Sequence, residues 1–165
     1  MPVAVCANLP YYITSPIIMS LLEARLPIVS LTVMVQKEAA QRLCAAPGSR
    51  EVGAVSIAVQ YYSQPQVLFQ VSRGSFMPSP DVDSTVIRLD VRQQPPVQLK
   101  KEEDFFRVVK AAFSQRRKTL PNTLSAGLAI PKQQALDLLE RAGVASNLRA
   151  EQLSMQQFAD IANAL

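Results

Sequence analysis

The sequence predicts an α/β domain over residues 1–94 and a small all-helical domain over residues 97–165. Up to about residue 92, short apolar runs alternate with segments of helical periodicity, which is the pattern of a sheet covered by helices. Beyond that point only helical periodicity remains. Residues 93–96 read Gln-Gln-Pro-Pro, and adjacent prolines stiffen an extended segment that neither a sheet nor a helix includes. We therefore place the domain boundary there.

The elements of the first domain are recognised by their periodicity. Apolar runs without a polar face indicate buried strands, and apolar residues three and four apart indicate helices. Pro27 ends the first helix and Pro47 closes the second. Residues 51–62 are rich in β-branched side chains, but their apolar residues recur at helical spacing. The predicted elements, in chain order, are strand 3–7, helix 15–26, strand 31–35, helix 37–46, helix 51–62, strand 66–71 and strand 84–91.

The second domain shows apolar helical stripes and two clear helix ends. One stripe lies between Phe105 and Phe113, and another ends at Gly143, a residue that commonly terminates helices. Ser154 and Gln157 stand three residues apart in the pattern of a capping box. The last helix is therefore predicted to begin just after Ser154.

Composition limits the chemistry that the chain performs. The 165 residues are 48% hydrophobic and 18% charged, with a net charge of +4 and a pI near 9.3, a balance that permits a nucleic-acid partner without requiring one. No histidine is present, and Cys6 and Cys44 lack the spacing of metal ligands, so we expect no metal site and no disulfide. We find no signal peptide and no apolar run of membrane-spanning length, and expect a cytoplasmic protein without a membrane partner.

Residues 8–11 read Asn-Leu-Pro-Tyr directly after the first predicted strand. A Pro-bearing turn presents an amide, backbone carbonyls and an aromatic ring together, which suits a flat hydrogen-bonding base. If the Asn8 oxygen and a backbone carbonyl of Leu9 or Pro10 accepted both hydrogens of an adenine amino group, its nitrogen lone pair would point at a methyl donor. Tyr11 would stack on the flipped base. From the motif alone, a simple strand-ending turn with Tyr11 packed inward is the alternative.

A second motif, Phe-Met-Pro-Ser-Pro, begins at Phe76 in the connection between the last two predicted strands. Two prolines hold this loop rigid and fix the angle of the Phe76 ring. The ring either completes a slot that grips a base or plugs the hydrophobic core, and the residues leave both interpretations open.

A third motif places three adjacent cations, Arg116, Arg117 and Lys118, at the end of an amphipathic helix. Three adjacent positive charges after an aromatic residue form a candidate RNA phosphate patch. Helix ends attract cations in any case, because the carbonyl groups there carry partial negative charge. The alternative is a cationic helix terminus without a nucleic-acid role.

Taken together in this order and spacing, the motifs resemble one family, the small-subunit ribosomal RNA adenine dimethyltransferases (the KsgA group). Asn-Leu-Pro-Tyr resembles the tetrad of enzymes that methylate base amino groups, and Phe-x-Pro-x-Pro-x-Val-x-Ser from Phe76 resembles the family's second signature. Phe-x-Gln-Arg-Arg-Lys from Phe113 and Arg-Ala-Glu from Arg149 resemble its later signatures. The first two signatures are shared with the macrolide-resistance methyltransferases of the large subunit, which remain an alternative, whereas the Gln-Arg-Arg-Lys signature favours the small-subunit branch.

The resemblance implies an enzyme that uses S-adenosylmethionine to dimethylate two adjacent adenines of small-subunit rRNA in a ribosomal precursor. Asn8 would contact cofactor and target, Leu9 and Pro10 would orient the amino group, and Tyr11 and Phe76 would hold the base. The helical domain, with the cations at 116–118, would dock the rRNA. A non-catalytic rRNA-binding or assembly module is the second function class.

The resemblance also implies a departure from the family. It places the first strands and the Gly-rich cofactor loop before the tetrad, but here the tetrad begins at residue 8 and the five glycines show no cofactor-loop spacing. The chain would thus be the second half of a Rossmann-like class I methyltransferase sheet, incomplete, followed by the helical domain. We expect this piece to be inactive alone and to self-associate through its exposed sheet edge.

Overall fold

The computed structural model describes residues 2–8 and 14–165. These residues form a mixed α/β fold with one four-stranded sheet, seven α-helices and two short 3-10 turns. None of the described helices is long and apolar enough to span a membrane.

The chain packs as two compact units. The first consists of Met1–Ala45 with Ala58–Pro95, and the second of Ala46–Ile57 with Pro96–Leu165. Residues 46–57 therefore group with the helical part of the chain, although they precede the proline-rich segment in the sequence. The domain assignment made from the sequence stays a prediction.

The sheet of the first unit has the strand order β1-β2-β4-β3. β1 (Val3–Asn8) lies parallel to β2 (Ile28–Gln36), and β4 (Ser84–Val91) runs antiparallel to both β2 and β3 (Ser63–Val71). A parallel pair requires a crossover, which α1 (Thr14–Glu23) provides. The two inner strands, β2 and β4, are the buried ones.

Burial follows strand position in this sheet. Leu31, Val35 and Ile87 on the inner strands are completely buried, as a strand covered on both faces requires. On the edge strands, Val3 is 45% exposed and Phe69 is 56% exposed. The sequence correctly predicted a strand at residues 3–7, but its expected burial on both faces is wrong in this chain.

Two predicted helices are shorter than their periodicity indicated. α1 ends at Glu23, and Leu26 is 51% exposed instead of continuing the apolar stripe. The reason lies in Arg25, whose left-handed backbone (φ 51°) turns the chain before Pro27. α2 (Lys37–Leu43) likewise ends before residue 46.

The β-branched segment before β3 is helical, as its spacing predicted. α3 (Ala54–Tyr62) leads directly into β3, which begins three residues earlier than the predicted strand at 66. The Ser63 hydroxyl donates a 2.7 Å hydrogen bond to the Val59 carbonyl and so satisfies an acceptor at the helix end. The helix-to-strand change therefore needs no intervening loop.

The helices of the second unit are α4 (Glu102–Ala112), α5 (Leu120–Leu128), α6 (Lys132–Ala142) and α7 (Met155–Asn163). Gly143 ends α6 in a left-handed conformation (φ 71°), which confirms the predicted stop. The capping box before α7 is also confirmed, because the Ser154 hydroxyl accepts from the Gln157 N–H at 3.2 Å.

α5 was absent from the sequence prediction. It packs so closely on α4 that a Cβ added at Gly127 would lie 2.3 Å from the Cβ of Ala111. Only glycine fits this contact, since real carbon atoms do not approach so closely. Glycine is a poor helix former, so Gly127 weakened the helical pattern of this short segment. Pro121 near the start of the helix is nevertheless a typical N-terminal signal.

Candidate functional site

Asn8 and the Phe76 loop lie at the same end of the sheet. Asn8 is the last residue of β1 and is paired with Met34 of β2, which in turn pairs with Val86 of β4. The loop at 72–83 enters β4 at this level. Because neighbouring strands are about 4.8 Å apart, the backbone of Asn8 lies about 10 Å from β4. This is the carboxyl end of the parallel pair, where ligands of open α/β sheets bind.

The Phe76 loop is closed by an Arg73–Asp83 pair. The Asp83 carboxylate accepts from the Arg73 backbone N–H at 2.9 Å and from Arg73 Nε at 3.4 Å. Arg73 Nη1 also donates to the Asp81 carbonyl, and the Ser79 hydroxyl donates to the Arg73 carbonyl, both at 2.8 Å. The Lys37 N–H donates to the Asp83 carbonyl at 3.0 Å, which fastens the loop beside the end of β2.

This closure has an electrostatic signature. The backbone hydrogen bond from Arg73, assisted by the charge of its guanidinium group, holds the pKa of Asp83 below its ordinary value. Within the closed loop Phe76 is partly buried, while the side chain of Met77 is completely exposed. The loop therefore presents an apolar tip to solvent at the same end of the sheet as Asn8.

The sequence-predicted residues at this end are described unequally. Asn8 is exposed at the end of β1, and Phe76 lies in the closed loop. Leu9, Pro10 and Tyr11 lie outside the described residues, so the geometry of the tetrad and the stacking of Tyr11 stay predictions. The catalytic roles of Asn8 and Phe76 also stay predictions.

The predicted RNA patch lies in a connection, not on a helix. α4 ends at Ala112, and Arg116, Arg117 and Lys118 occupy the turn that leads to α5, all of them exposed. The motif that begins at Phe113 thus follows directly on the end of α4, whose C-cap is Phe113, and its three cations lie beyond the helix. Both interpretations of the three cations, an RNA phosphate patch and a cationic helix terminus, therefore stay predictions.

Arg116 and Arg117 line a cavity of about 440 Å³ in the second unit. Arg50 and Arg149 line it as well, so four arginines surround one space together with Glu151. Sequence reasoning gave Arg50 no role and quoted Arg149 only as part of a family signature. The signal available was weak: Arg50 and Arg116 are 66 residues apart, and cations so distant in the chain do not indicate proximity by spacing.

The thiol of Cys44 is not activated as a nucleophile. Burial raises the pKa of the Cys44 thiol to about 11, which keeps it protonated and unreactive. In the part of the chain that the structure describes, no three Cys, Asp or Glu side chains cluster as metal ligands would.

By fold, the chain resembles two methyltransferases of known structure. It superposes on a dimethyladenosine transferase from Plasmodium falciparum with a TM-score of 0.83 and 26% identity, covering 96% of this chain and 64% of that one. The 23S rRNA methyltransferase ErmE shares the fold, with a TM-score of 0.72 over 99% of this chain and 65% of that one at 24% identity.

The chain belongs to the ribosomal RNA adenine dimethylase family, whose sequence model matches residues 1–165. It is 49% identical over 164 residues to a ribosomal RNA small subunit methyltransferase A from Lachnoclostridium phytofermentans, covering 98% of this chain and 57% of the relative. A protein of the same name from Geobacillus thermodenitrificans is 51% identical over 164 residues. The chain spans about half the length of these relatives. Family members are methyltransferases that use S-adenosylmethionine, so the predicted family and enzyme class are confirmed.

Proposed function

We propose that this chain is the carboxy-terminal portion of an S-adenosylmethionine-dependent enzyme that dimethylates the N6 amino groups of two adjacent adenines in small-subunit rRNA. The observation that carries the proposal is the match to the family over the whole chain, with Asn8 at the carboxyl end of β1. The names of the relatives favour the small subunit. The substrate would be a precursor ribosomal subunit in the cytoplasm.

The chemistry assigned to this chain is orientation of the target amino group. An adenine amino nitrogen is a poor nucleophile because its lone pair is delocalised into the ring. In the proposal, the Asn8 oxygen and a carbonyl of Leu9 or Pro10 accept its two hydrogens and draw the lone pair out of conjugation. Tyr11 and Phe76 hold the flipped base between them. The product nitrogen is acidic and releases its proton to water, so no histidine is needed.

Asn8 is the residue of this chain that fits the cofactor. Its exposed side chain lies at the carboxyl end of a parallel strand, where the amide can hydrogen-bond an amino acid moiety. S-adenosylmethionine, when bound, supplies the electrophilic methyl group. The remaining contacts, by family resemblance, come from a Gly-rich loop upstream of the tetrad, and no such spacing occurs among the five glycines here.

The open edge of β1 favours self-association of the 165-residue chain. β1 pairs with β2 on one side, and most of its residues are exposed. An edge strand with apolar residues and unpaired backbone groups is a template for further strands. We therefore propose that the 165-residue chain self-associates through β1 and does not transfer methyl groups by itself.

Calorimetry with S-adenosylmethionine tests these statements first, with an intact family enzyme as the positive control. We expect no saturable binding to the 165-residue chain. Saturable binding together with methylation of precursor subunits would contradict its inactivity, while leaving the family function intact.

A second candidate function is favoured by the arginine cavity, which is independent of the sheet. Four arginines around one cavity support rRNA binding by a module without chemistry. The two functions are separated by Asn8→Ala in a completed enzyme, because a binding module would be indifferent to that change.

A further inference from the structure

We propose that Met77, at the tip of the Phe76 loop, is a wedge that fills the gap left by the flipped adenine and packs on the adenine beside it. This inference rests on the proposed function, because it assumes a substrate with two adjacent adenines. It deepens that function by naming the residue that contacts the adenine which is not being methylated.

Met77 has the most exposed large apolar side chain among the described residues. It is 100% exposed, whereas the other large apolar residues at the described surface are 40% to 56% exposed. Phe76 before it is partly buried, and Pro78 after it is exposed. The tip of the loop is therefore a short apolar ridge, and a ligand that covers it removes apolar surface from water.

The loop holds Met77 at the surface on an ordered backbone. A single 3-10 turn, Arg73–Ser75, precedes Phe76, whose N–H donates to the Arg73 carbonyl at 3.4 Å. On the other side of Met77, the Ser79 hydroxyl donates to the same carbonyl at 2.8 Å. Moving Met77 into the core would break both hydrogen bonds. A side chain presented in this way loses little backbone entropy when it binds, which favours a role in recognition.

The position of the tip relative to Phe76 matches the spacing of a nucleic acid. Consecutive Cα atoms are about 3.8 Å apart, and consecutive nucleotides of a stacked strand rise by about 3.4 Å. If the Phe76 ring holds the flipped adenine, the next side chain of the loop is within reach of the next nucleotide. Both side chains belong to the end of the sheet at which Asn8 ends β1.

Base flipping creates a need for such a side chain. An adenine that leaves the stack exposes the face of its neighbour, and the unstacking costs free energy. Proteins that unstack bases insert apolar side chains into the gap, methionine and proline among them. A thioether packs well on an aromatic ring, so Met77 suits the face of adenine. A stable protein interface needs about 800 Å² on each partner, which a three-residue ridge does not offer.

The direct test is NMR of the 165-residue chain labelled with ¹³C in its methionine methyl groups. The chain has five methionines, and the Met77 signal is the one that is missing from the Met77→Leu variant. The probe is an RNA hairpin whose loop holds two adjacent adenines. At saturating RNA we expect the Met77 signal to move upfield, as a methyl group on the face of a base does. A hairpin with an abasic site in place of one adenine should produce a smaller shift.

Affinity for the same hairpin distinguishes an apolar wedge from a general surface contact. Met77→Gln keeps the length of the side chain and removes its apolar character, so binding should weaken about fivefold, with an unchanged slope of log K against log [salt]. Met77→Leu should bind like the wild-type chain. Leu26→Gln is the matched control, because Leu26 is 51% exposed and lies before β2, at the other end of the sheet. It should change the affinity by less than about twofold.

A hairpin with 2-aminopurine at one adenine separates this inference from the proposed function, since its fluorescence rises when the base leaves the stack. The wedge is overturned if the wild-type and Met77→Gln chains brighten it equally and the Met77 methyl signal does not move; base flipping then stands. No brightening with either chain would overturn both the wedge and the binding of a base at the sheet end of this chain. Failure of the enzymatic function would appear separately, as an Asn8→Ala completed enzyme that still methylates adenine.

Discussion

The end of the sheet and the cavity lined by Arg50, Arg116, Arg117 and Arg149 differ in the chemical groups that they offer a ligand. The sheet end offers an amide and, in its loop, an aromatic ring and a fully exposed methionine, with no net charge from these groups. The cavity offers four guanidinium groups and a buried hydroxyl. Neutral, planar chemistry suits a base, and dense positive charge suits a phosphate backbone. If the proposed function is right, this contrast separates recognition of the reacting group from recognition of the polymer.

The strongest test of whether methyl transfer and RNA binding depend on different residues is Asn8→Ala in a completed enzyme. The change removes the side-chain acceptor, so methyl transfer should fall by about 10³-fold, equivalent to about 4 kcal/mol of transition-state stabilisation. RNA affinity should stay within twofold. Single-turnover methylation and RNA binding measured on the same samples check both statements, and an equal loss in the two would refute the division of roles.

Charge reversal in the cavity should produce the opposite pattern. Arg116→Glu combined with Arg117→Glu would remove two of the proposed phosphate contacts and add two repulsive charges, so RNA affinity should fall by about 100-fold or more at low salt. At saturating RNA the methylation rate of a completed enzyme should change little. Lys118→Glu alone gives a smaller loss in our proposal, because Lys118 belongs to the patch but does not line the cavity.

Gly127→Ala tests the scaffold of the cavity independently of its charge. A methyl group here would overlap both Cβ and Cα of Ala111 on α4, and forced overpacking costs about 1 to 3 kcal/mol. The gain in helix propensity, about 1 kcal/mol, offsets part of this cost, and because the clash includes backbone we expect a net loss of about 1 to 2 kcal/mol in the free energy of unfolding. Urea denaturation of the chain measures this loss.

Ala126→Ser is the matched control for that substitution. It likewise adds one heavy atom to α5, but at the neighbouring exposed position, and should cost no more than about 0.5 kcal/mol through its lower helix propensity. Equal stability of the two variants would mean that α4 and α5 separate at little cost.

The smallest effect is expected at the Phe76 loop. The lowered pKa of Asp83 means that closure by its carboxylate is fully present above the ordinary Asp pKa and is lost as the pH falls through the lower folded value. The protection of the Arg73 amide against hydrogen exchange should therefore be constant near neutral pH and decline only below about pH 4. Asp83→Asn should reduce this protection several-fold at all pH values. Unchanged protection in that variant would show that the loop closes without the carboxylate.

Local signals explain which elements were predicted correctly. Some features depend only on residues close together in the sequence, so the sequence alone is enough to predict them. These are the strand at 84–91, the helix end at Gly143 and the capping box at Ser154. Errors fell where a distant or unusual contact decides. α1 ends early because Arg25 adopts a left-handed backbone, and α5 carries Gly127, a poor helix former, at its close contact with Ala111 of α4.

The sequence by itself determined the family, the order of the strands along the chain, and the motifs at Asn8, Phe76 and Arg116, because each depends on residue identity and short spacing. Only the tertiary structure decided that Asn8 and the Phe76 loop share one end of the sheet, since that follows from the β1-β2-β4-β3 strand order. It alone brought Arg50 and Arg149 to the cavity. Long-range packing sets such neighbours, and no local pattern encodes a contact between segments so far apart in the chain.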